Sequence, residues 1–370
     1  MRRTLTVALG FSLAVMPAVL AAIAARFAVL YRERAGFPPR GPVAGDPGDL
    51  GLPWERVAVR SAGRDLPGWW VPAPDASPRS PGSSSDGSSA RPGVVLVHGW
   101  GSNRARMIPL AAVLHAAGFH ALAFDVRGHG DNPAETLPVT AVEFGEDAAA
   151  AVDALRSLPG VGKVGILGHS MGGVGASLAA AGRDDVAALV VVSAPADPRL
   201  LVRETFRMAA LPLPGPVAHP LAWVALRSIM RPRGHRPRAA SARRAVARYA
   251  GPVLLVQGDA DELLPLRDLR LLERAAASRP RGAHTEVLVV PGGRHRWLYE
   301  DATFRRTVAA FLAESLDERH GAAAAASAAE STSVVRPPDT EGPLVPEGVA
   351  ARRRTDLHAE PAAAPSGTGR

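Results

Sequence analysis

The chain has 370 residues, 47% of them apolar and 21% charged, with 37 glycines and 34 prolines: a globular composition, long enough for one large α/β domain plus extensions. Its net charge of +8 comes almost wholly from arginines scattered along the sequence, apart from one cluster, and this scatter argues against a nucleic-acid partner. With no cysteine, disulfides, thiolate metal sites and a cysteine nucleophile are excluded together.

From Leu5 to Ala25 the sequence is apolar, with no charge until Arg26. About 20 such residues, as a helix, span a hydrocarbon core of roughly 30 Å. The expectation is one N-terminal transmembrane helix over 5–25 that anchors the protein at the cell membrane. The alternative is a secretory signal cleaved after Ala22-Ile23-Ala24. Arginines flank both ends, so the positive-inside rule selects neither orientation. Residues 26–51, rich in Gly and Pro, read as a tether.

The alternating stretches Arg56–Ser61 and Leu66–Val71, joined at Ala62-Gly63-Arg64, read as two antiparallel strands at a sheet edge. Residues 74–93 are mostly Ser, Pro and Gly and read as a flexible surface loop. Val94–Val97 is a short, wholly apolar run, as a parallel strand buried on both faces requires; it empties into His98-Gly-Trp-Gly101. A helix near Arg104–Ala117 and a strand Ala121–Asp125 follow, the latter leading into Val126-Arg-Gly-His-Gly130. Next come a helix over Thr140–Leu158, an apolar strand ending in Gly168-His-Ser-Met-Gly172, a helix Met171–Ala181 and a strand Ala187–Ser193. This strand-helix alternation implies a mostly parallel central sheet with helices on both faces.

Residues 196–248 break the rhythm with apolar helical pieces at Leu200–Met208 and Leu221–Met230, then seven arginines between Arg231 and Arg248. This segment reads as a helical cap inserted after a strand. It is either a lid that binds an acyl group or a cap that buries its apolar residues on the domain beneath. The arginines form a solvated face or lie against anionic headgroups. Alternation resumes with Pro252–Gln257, a helix Leu266–Ala277, a strand Glu286–Val290 and a closing helix over 302–316. Residues 52–318 make up the catalytic-type domain, and 319–370, Ala-, Pro- and charge-rich without period, read as a disordered tail.

Four loops at carboxyl ends of these strands carry the chemistry, at the edge where open α/β sheets bind ligands. Ser170 lies between Gly168 and Gly172 on a sharp strand-to-helix turn, where a Cβ on either flank would collide with backbone. A serine hydroxyl needs a base to become a nucleophile at neutral pH. His295, in the Gly-rich loop after the last strand, is the candidate, and the other reading of it is a solvent-exposed loop histidine. An acid must fix the imidazole's tautomer. Asp261 is the choice, with Asp259 expected to shape its turn and Glu262 to face solvent. Backbone N–H groups of Trp100 and Met171 are placed to form an oxyanion hole, and the Trp100 side chain doubles as pocket wall.

As a set, His98-Gly-Trp-Gly101, Asp125-x-Arg-Gly-His-Gly130, Gly168-His-Ser-Met-Gly172, Gly258-x-x-Asp261-x-x-x-Pro265 and Gly293-x-His295 resemble the α/β-hydrolase superfamily, in its serine-aminopeptidase-like and esterase-like branch. The order serine, acid, histidine is the family's, and the resemblance covers residues 54–316. It implies an α/β-hydrolase fold, structural roles for the Asp125–Gly130 loop, His98 and His169, and no cofactor or metal. Position 170 is serine, unlike the aspartate nucleophile of dehalogenase-like relatives. The expected reaction is cleavage of a small-molecule carboxylic ester or amide through an acyl-serine. The alternatives are an aminopeptidase-like peptidase, acyl transfer by the same residues, or a non-catalytic binding module of the same fold.

Overall fold

The computed structural model describes residues 2–74, 90–208, 213–279, 283–316 and 321–336, with residues 2–15 and 17 as backbone alone. Helix α1 (Arg2–Ala35) is followed by the strands β1 (Glu55–Ser61), β2 (Arg64–Val71) and β3 (Arg91–Val97). Then come α2 (Ile108–Ala116), β4 (His120–Phe124), α3 (Ala141–Arg156), β5 (Val161–His169), α4 (Met171–Ala180) and β6 (Val186–Val192). The cap contributes α5 (Pro198–Met208), α6 (Gly215–Met230) and α7 (Ala242–Val246). The chain continues through β7 (Val253–Gly258), α8 (Leu266–Ala277), β8 (Thr285–Val290), α9 (Ala302–Leu316) and α10 (Ala322–Ser331).

The strands form one eight-stranded sheet in the order β1-β2-β4-β3-β5-β6-β7-β8. β1 pairs with β2, and β2 with β4, antiparallel; every other pair is parallel. Strand order reverses around β3: the chain moves outward to β4 and returns on the other side as β5. Such a switch point leaves a crevice above the carboxyl ends of the two inner strands, and the loops after β3 and β5 both open there.

The central strands are apolar on both faces because both are covered. Val95 and Val97 of β3 join the core beneath α3, α4 and α8, where Phe144, Val174 and Leu269 are buried. Val94 and Leu96 point to the opposite core with Leu114 of α2 and Phe311 of α9. Each such side chain, removed from water, contributes about 1.5–3 kcal/mol. Helix α3 begins where the sequence marks it: the Thr140 side chain caps its first turn and Glu143 reaches back to the Thr140 N–H at 2.7 Å, a reciprocal capping box. Glu143 also receives His235 of the cap at 2.6 Å, and Arg233 bonds Glu135 and the carbonyl of Pro138 at 2.7 and 2.6 Å. Part of the arginine cluster is therefore a seam between cap and domain rather than a solvated face.

Three expectations change. The transmembrane helix over 5–25 is not supported. The helix does not stop at Ala25 but runs through Arg26, Arg32 and Arg34 to Ala35, and among the described residues no helix is long and apolar enough to cross a membrane. Its last turns are docked, with Phe27 and Tyr31 centred 5.9 and 6.0 Å from the Phe206 ring of α5. The tether over 26–51 is likewise built in. Gly36 O accepts from Val139 N–H at 2.8 Å, and Pro42 O accepts from the Asn103 side chain at 3.1 Å.

The tail from 319 is not featureless: α10 lies on α9 with Ala325, Ala326 and Ala329 buried, and the Arg305 guanidinium donates to the carbonyls of Ala329 and Glu330 at 3.1 and 2.9 Å. Residues 319–320 and 337–370 lie outside the described residues. So does 75–89 of the expected surface loop, whose last part, from Arg91, belongs to β3.

Candidate active site

Ser170 stands at the end of β5 with φ 56° and ψ −120°, a conformation that costs a non-glycine residue on the order of 1–3 kcal/mol. Its own N–H is tied to Val192 O at 2.8 Å, so the neighbouring strand holds the turn. The flanking glycines are required by contact. A Cβ on Gly168 would lie 2.1 Å from Gly172 O, and one on Gly172 would lie 2.2 Å from Val97 O and 2.4 Å from His98 O. The backbones of β3, β5 and α4 thus meet directly beneath the serine.

The structure brings His295 to this serine across 125 residues of sequence, and Asp261 to His295 across 34. His295 Nδ1 is 2.9 Å from Asp261 Oδ2 and Nε2 is 3.1 Å from Ser170 Oγ. A carboxylate only accepts, so Nδ1–H donates to Asp261, leaving Nε2 to accept the serine O–H. His295 is 2% exposed and Asp261 6%, which excludes the reading of His295 as an exposed loop residue. Burial works to raise the Asp261 carboxyl pKa, but the charge and hydrogen bond of His295 and the N–H groups of Leu264 and Leu263 outweigh it and hold the group below its ordinary range. Those two N–H groups reach Oδ1 at 2.7 and 2.9 Å.

The rival acids do other work. Asp259 Oδ1 accepts from Gly292 N–H at 2.6 Å, shaping the turn as expected. Glu262 differs from expectation: it is half-buried, and its Oε2 accepts the His295 backbone N–H at 3.1 Å. On the other side of the same residue, His169 Nε2–H donates to His295 O at 2.7 Å. His295 is therefore gripped through its main chain by two side chains that the sequence does not single out for this purpose; their only signal is adjacency to Asp261 and to Ser170.

The loop after β3 reaches the serine, since a Cβ on Gly99 would sit 3.3 Å from Ser170 Cβ. His98 fixes this loop: its Nδ1–H donates to Gly99 O at 2.8 Å and its Nε2 accepts the Val126 N–H at 3.0 Å. The Trp100 indole packs edge-on against His129 with centroids 5.5 Å apart, and over Phe144 at 6.4 Å. Burial pushes the pKa of His98 down to about 4 and that of His129 to about 3, so both rings are neutral supports. Met171 is the first residue of α4, where helical geometry leaves an N–H without an intrahelical partner.

Asp125 and Arg127 are structural, as the resemblance implies. Asp125 pairs with Arg104 and accepts the Arg104 N–H at 2.7 Å. Arg127 Nε donates to Asp147 at 3.0 Å.

Two cavities meet at Ser170. One, of about 240 Å³, is bounded by His295, Arg106, Trp297, Tyr299 and Phe304. The other, of about 310 Å³, lies under the cap and is bounded by Met171, Val174, Leu201 and Leu226, with Tyr31 and Ala35 of α1. Trp297 has φ 71° and its ring is stacked under Arg106 at 3.9 Å. Sequence reasoning missed Tyr31, Ala35, Arg106 and Trp297 because none sits in a motif. Among the described residues no group of three or more His, Cys, Asp or Glu side chains could hold a metal ion.

A family model described as serine aminopeptidase, S33, matches residues 88–231. An uncharacterized protein of Mycobacterium tuberculosis is 30% identical over 263 residues, 70% of this chain and 78% of its own length. Of solved structures, the Pyrococcus furiosus esterase Pf2001 aligns with a TM-score of 0.56 at 22% identity, over 75% of this chain and 97% of that one. A Mycobacterium tuberculosis puromycin-hydrolyzing peptidase aligns with a TM-score of 0.55 at 21% identity, over 72% of this chain and 40% of that one. These alignments show that the chain shares its overall fold with both proteins. By fold, family model and relative together, the chain belongs to the α/β-hydrolase superfamily.

Proposed function

We propose that the protein is a serine hydrolase that cleaves a carboxylic ester through an acyl-serine intermediate. The observation that carries this reading is the unbroken line of contacts from Asp261 through His295 to Ser170, at 2.9 and 3.1 Å. His295 Nε2 takes the hydroxyl proton as Ser170 Oγ attacks the ester carbonyl, and Asp261 stabilises the imidazolium that forms. The backbone N–H groups of Trp100 and Met171 receive the developing oxyanion, each contributing about 2.7–4 kcal/mol to the barrier reduction. As the tetrahedral intermediate collapses, the imidazolium returns its proton to the leaving alkoxide, and the alcohol departs. A water, deprotonated by the same nitrogen, then attacks the acyl-serine; the carboxylic acid is released and Ser170 regains its proton.

An ester is preferred to a peptide N-terminus on a specific ground. An aminopeptidase must hold an ammonium group beside the scissile bond, and among the described residues no Asp or Glu lines either cavity, whereas Arg34, Arg106 and Arg296 do. The test is a panel of p-nitrophenyl esters beside aminoacyl p-nitroanilides, with fluorophosphonate labelling read by mass spectrometry. Ester turnover with an adduct on Ser170 is expected. Ser170→Ala should lower kcat by roughly 10⁶-fold with an unchanged circular dichroism spectrum. Retained turnover in that variant sinks the nucleophile assignment, and faster anilide cleavage would move the enzyme to the peptidases.

A further inference from the structure

Resting on the acyl-serine reading above, we infer that the N-terminal helix is part of the substrate site: the acyl chain of the ester lies in the cavity under the cap, and Tyr31 and Ala35 of α1 set the chain length accepted. The direction of the substrate follows from the proton. The nitrogen that deprotonates Ser170 must later protonate the leaving oxygen, so the leaving group lies on the His295 side, in the cavity bounded by Arg106 and Trp297. His295 does not line the other cavity; Met171, whose N–H is placed for the oxyanion, does. The remaining substituent of the carbonyl carbon, the acyl chain, is thereby directed under the cap.

That cavity is apolar where a hydrocarbon would lie, with Val174 beneath and Leu201 and Leu226 of the cap above. It is completed by a segment outside the hydrolase domain proper. Tyr31 cannot swing freely: Thr205 gives its own hydroxyl proton to Val202 O at 2.6 Å, so the Tyr31 O–H donates to Thr205 Oγ1 at 2.9 Å. Ala35 is pinned one residue before Gly36, whose carbonyl accepts from Val139 N–H at 2.8 Å. A wall fixed at both points limits length rather than adapting to it, and an alanine there leaves space that a larger side chain would take.

Two experiments test this, one on the unaltered chain. An alkylphosphonofluoridate with a diazirine at the end of its phosphorus-bound alkyl chain is reacted with the full-length protein, irradiated and digested. The expected cross-link falls on residues 27–35 or on the cap helices. A cross-link on residues 102–110 or 296–304 overturns the inference while leaving the nucleophile intact, and absence of any Ser170 adduct overturns the hydrolase reading itself. In the second, kcat/KM is measured for p-nitrophenyl esters from acetyl to dodecanoyl. Ala35→Trp should lower the octanoate-to-acetate ratio by roughly tenfold or more, within the range that methylene-sized pocket changes produce. Tyr31→Ala should shift the preferred chain upward. Opposite shifts are the signature of a length gauge; a chain-length profile unmoved in both variants, or altered leaving-group preference instead, refutes it.

Discussion

The Ser170 turn and the histidine loop arrive at the same point by different physics. Ser170 is positioned by the absence of side chains: Gly168 and Gly172 let three backbone segments approach so closely that no Cβ fits between them, and the strained φ of 56° is imposed by that packing. His295 is positioned by polar contacts made at a distance, through Asp261, Glu262 and His169. Beyond it, Arg305 of α9 donates to the carbonyls of Tyr299 and Glu300 at 3.0 and 2.7 Å and to those of Ala329 and Glu330 at 3.1 and 2.9 Å, and so connects the end of this loop to α10. A steric arrangement is all or none, because interiors are close-packed. A polar arrangement can be weakened one contact at a time.

That contrast can be broken most severely at the acid. Asp261→Asn can offer an N–H where Nδ1 needs an acceptor, which favours the wrong imidazole tautomer, and kcat should fall by about 10⁴-fold with the melting temperature little changed. If Glu262 were the working acid, the same substitution would cost far less, and steady-state kinetics on an activated ester separates the two.

On the steric side, Gly172→Ala should destabilise the protein by at least about 4 kcal/mol, because its new methyl would meet the main chain of Val97 and His98. Urea unfolding monitors this; a variant of near-normal stability would mean the turn relaxes easily and the contrast is overstated.

Acid should also separate the buried histidines from the buried carboxylate. His98 and His129, both 0% exposed, are held neutral by burial, with pKa values of about 4 and about 3. The unfolded chain binds their protons below about pH 6.5, so this part of the stability is complete above that pH and is lost as pH falls toward the folded values. The linkage costs about 2 kcal/mol per histidine at pH 5. Asp261 is depressed instead, so its contribution is present above its unfolded value and disappears only as pH falls through the lower folded value, in a more acidic window. Burial also holds His120 and His169 down to about 4 and about 3, so unfolding at pH 7.5 and 5 should report these four rings together, and His129→Gln should make the slope of stability against pH shallower. An unchanged slope would show that the ring is not the group taking up the proton.

The smallest effect belongs to Glu262→Gln. It keeps an acceptor for the His295 N–H but removes the charge paired with Arg294 at 3.4 Å, an exposed partner, so kcat/KM should change by less than about fivefold. Glu262→Ala, which removes the acceptor, should cost more, and a reversal of that order would point to charge rather than to position.

What could be read from the chain alone is what short stretches determine. Apolar runs such as Val94–Val97 fit only a strand covered on both faces, and the glycines at 168 and 172 mark a turn too crowded for side chains. The succession of Ser170, Asp261 and His295 after three strand ends follows from the same local patterns. The choice of Asp261 over Glu262 was legible only as a preference, since adjacent acids look alike until the loop's curvature turns one carboxylate toward Nδ1 and the other toward a backbone N–H.

The two ends of the chain resist reading from sequence for one reason. The apolar run at 5–25 gives no sign that its helix continues through Arg26, Arg32 and Arg34 to Ala35, and the alanines of 322–329 carry no periodic contrast that would mark a buried face. Whether such helices end in solvent, lipid or protein depends on partners far away in sequence: Phe206 for α1 and Arg305 for α10. Those contacts exist only once the sheet is assembled, so it took the tertiary structure to reveal that a presumed tether walls the cavity under the cap and that a presumed loose tail is bound to the histidine loop.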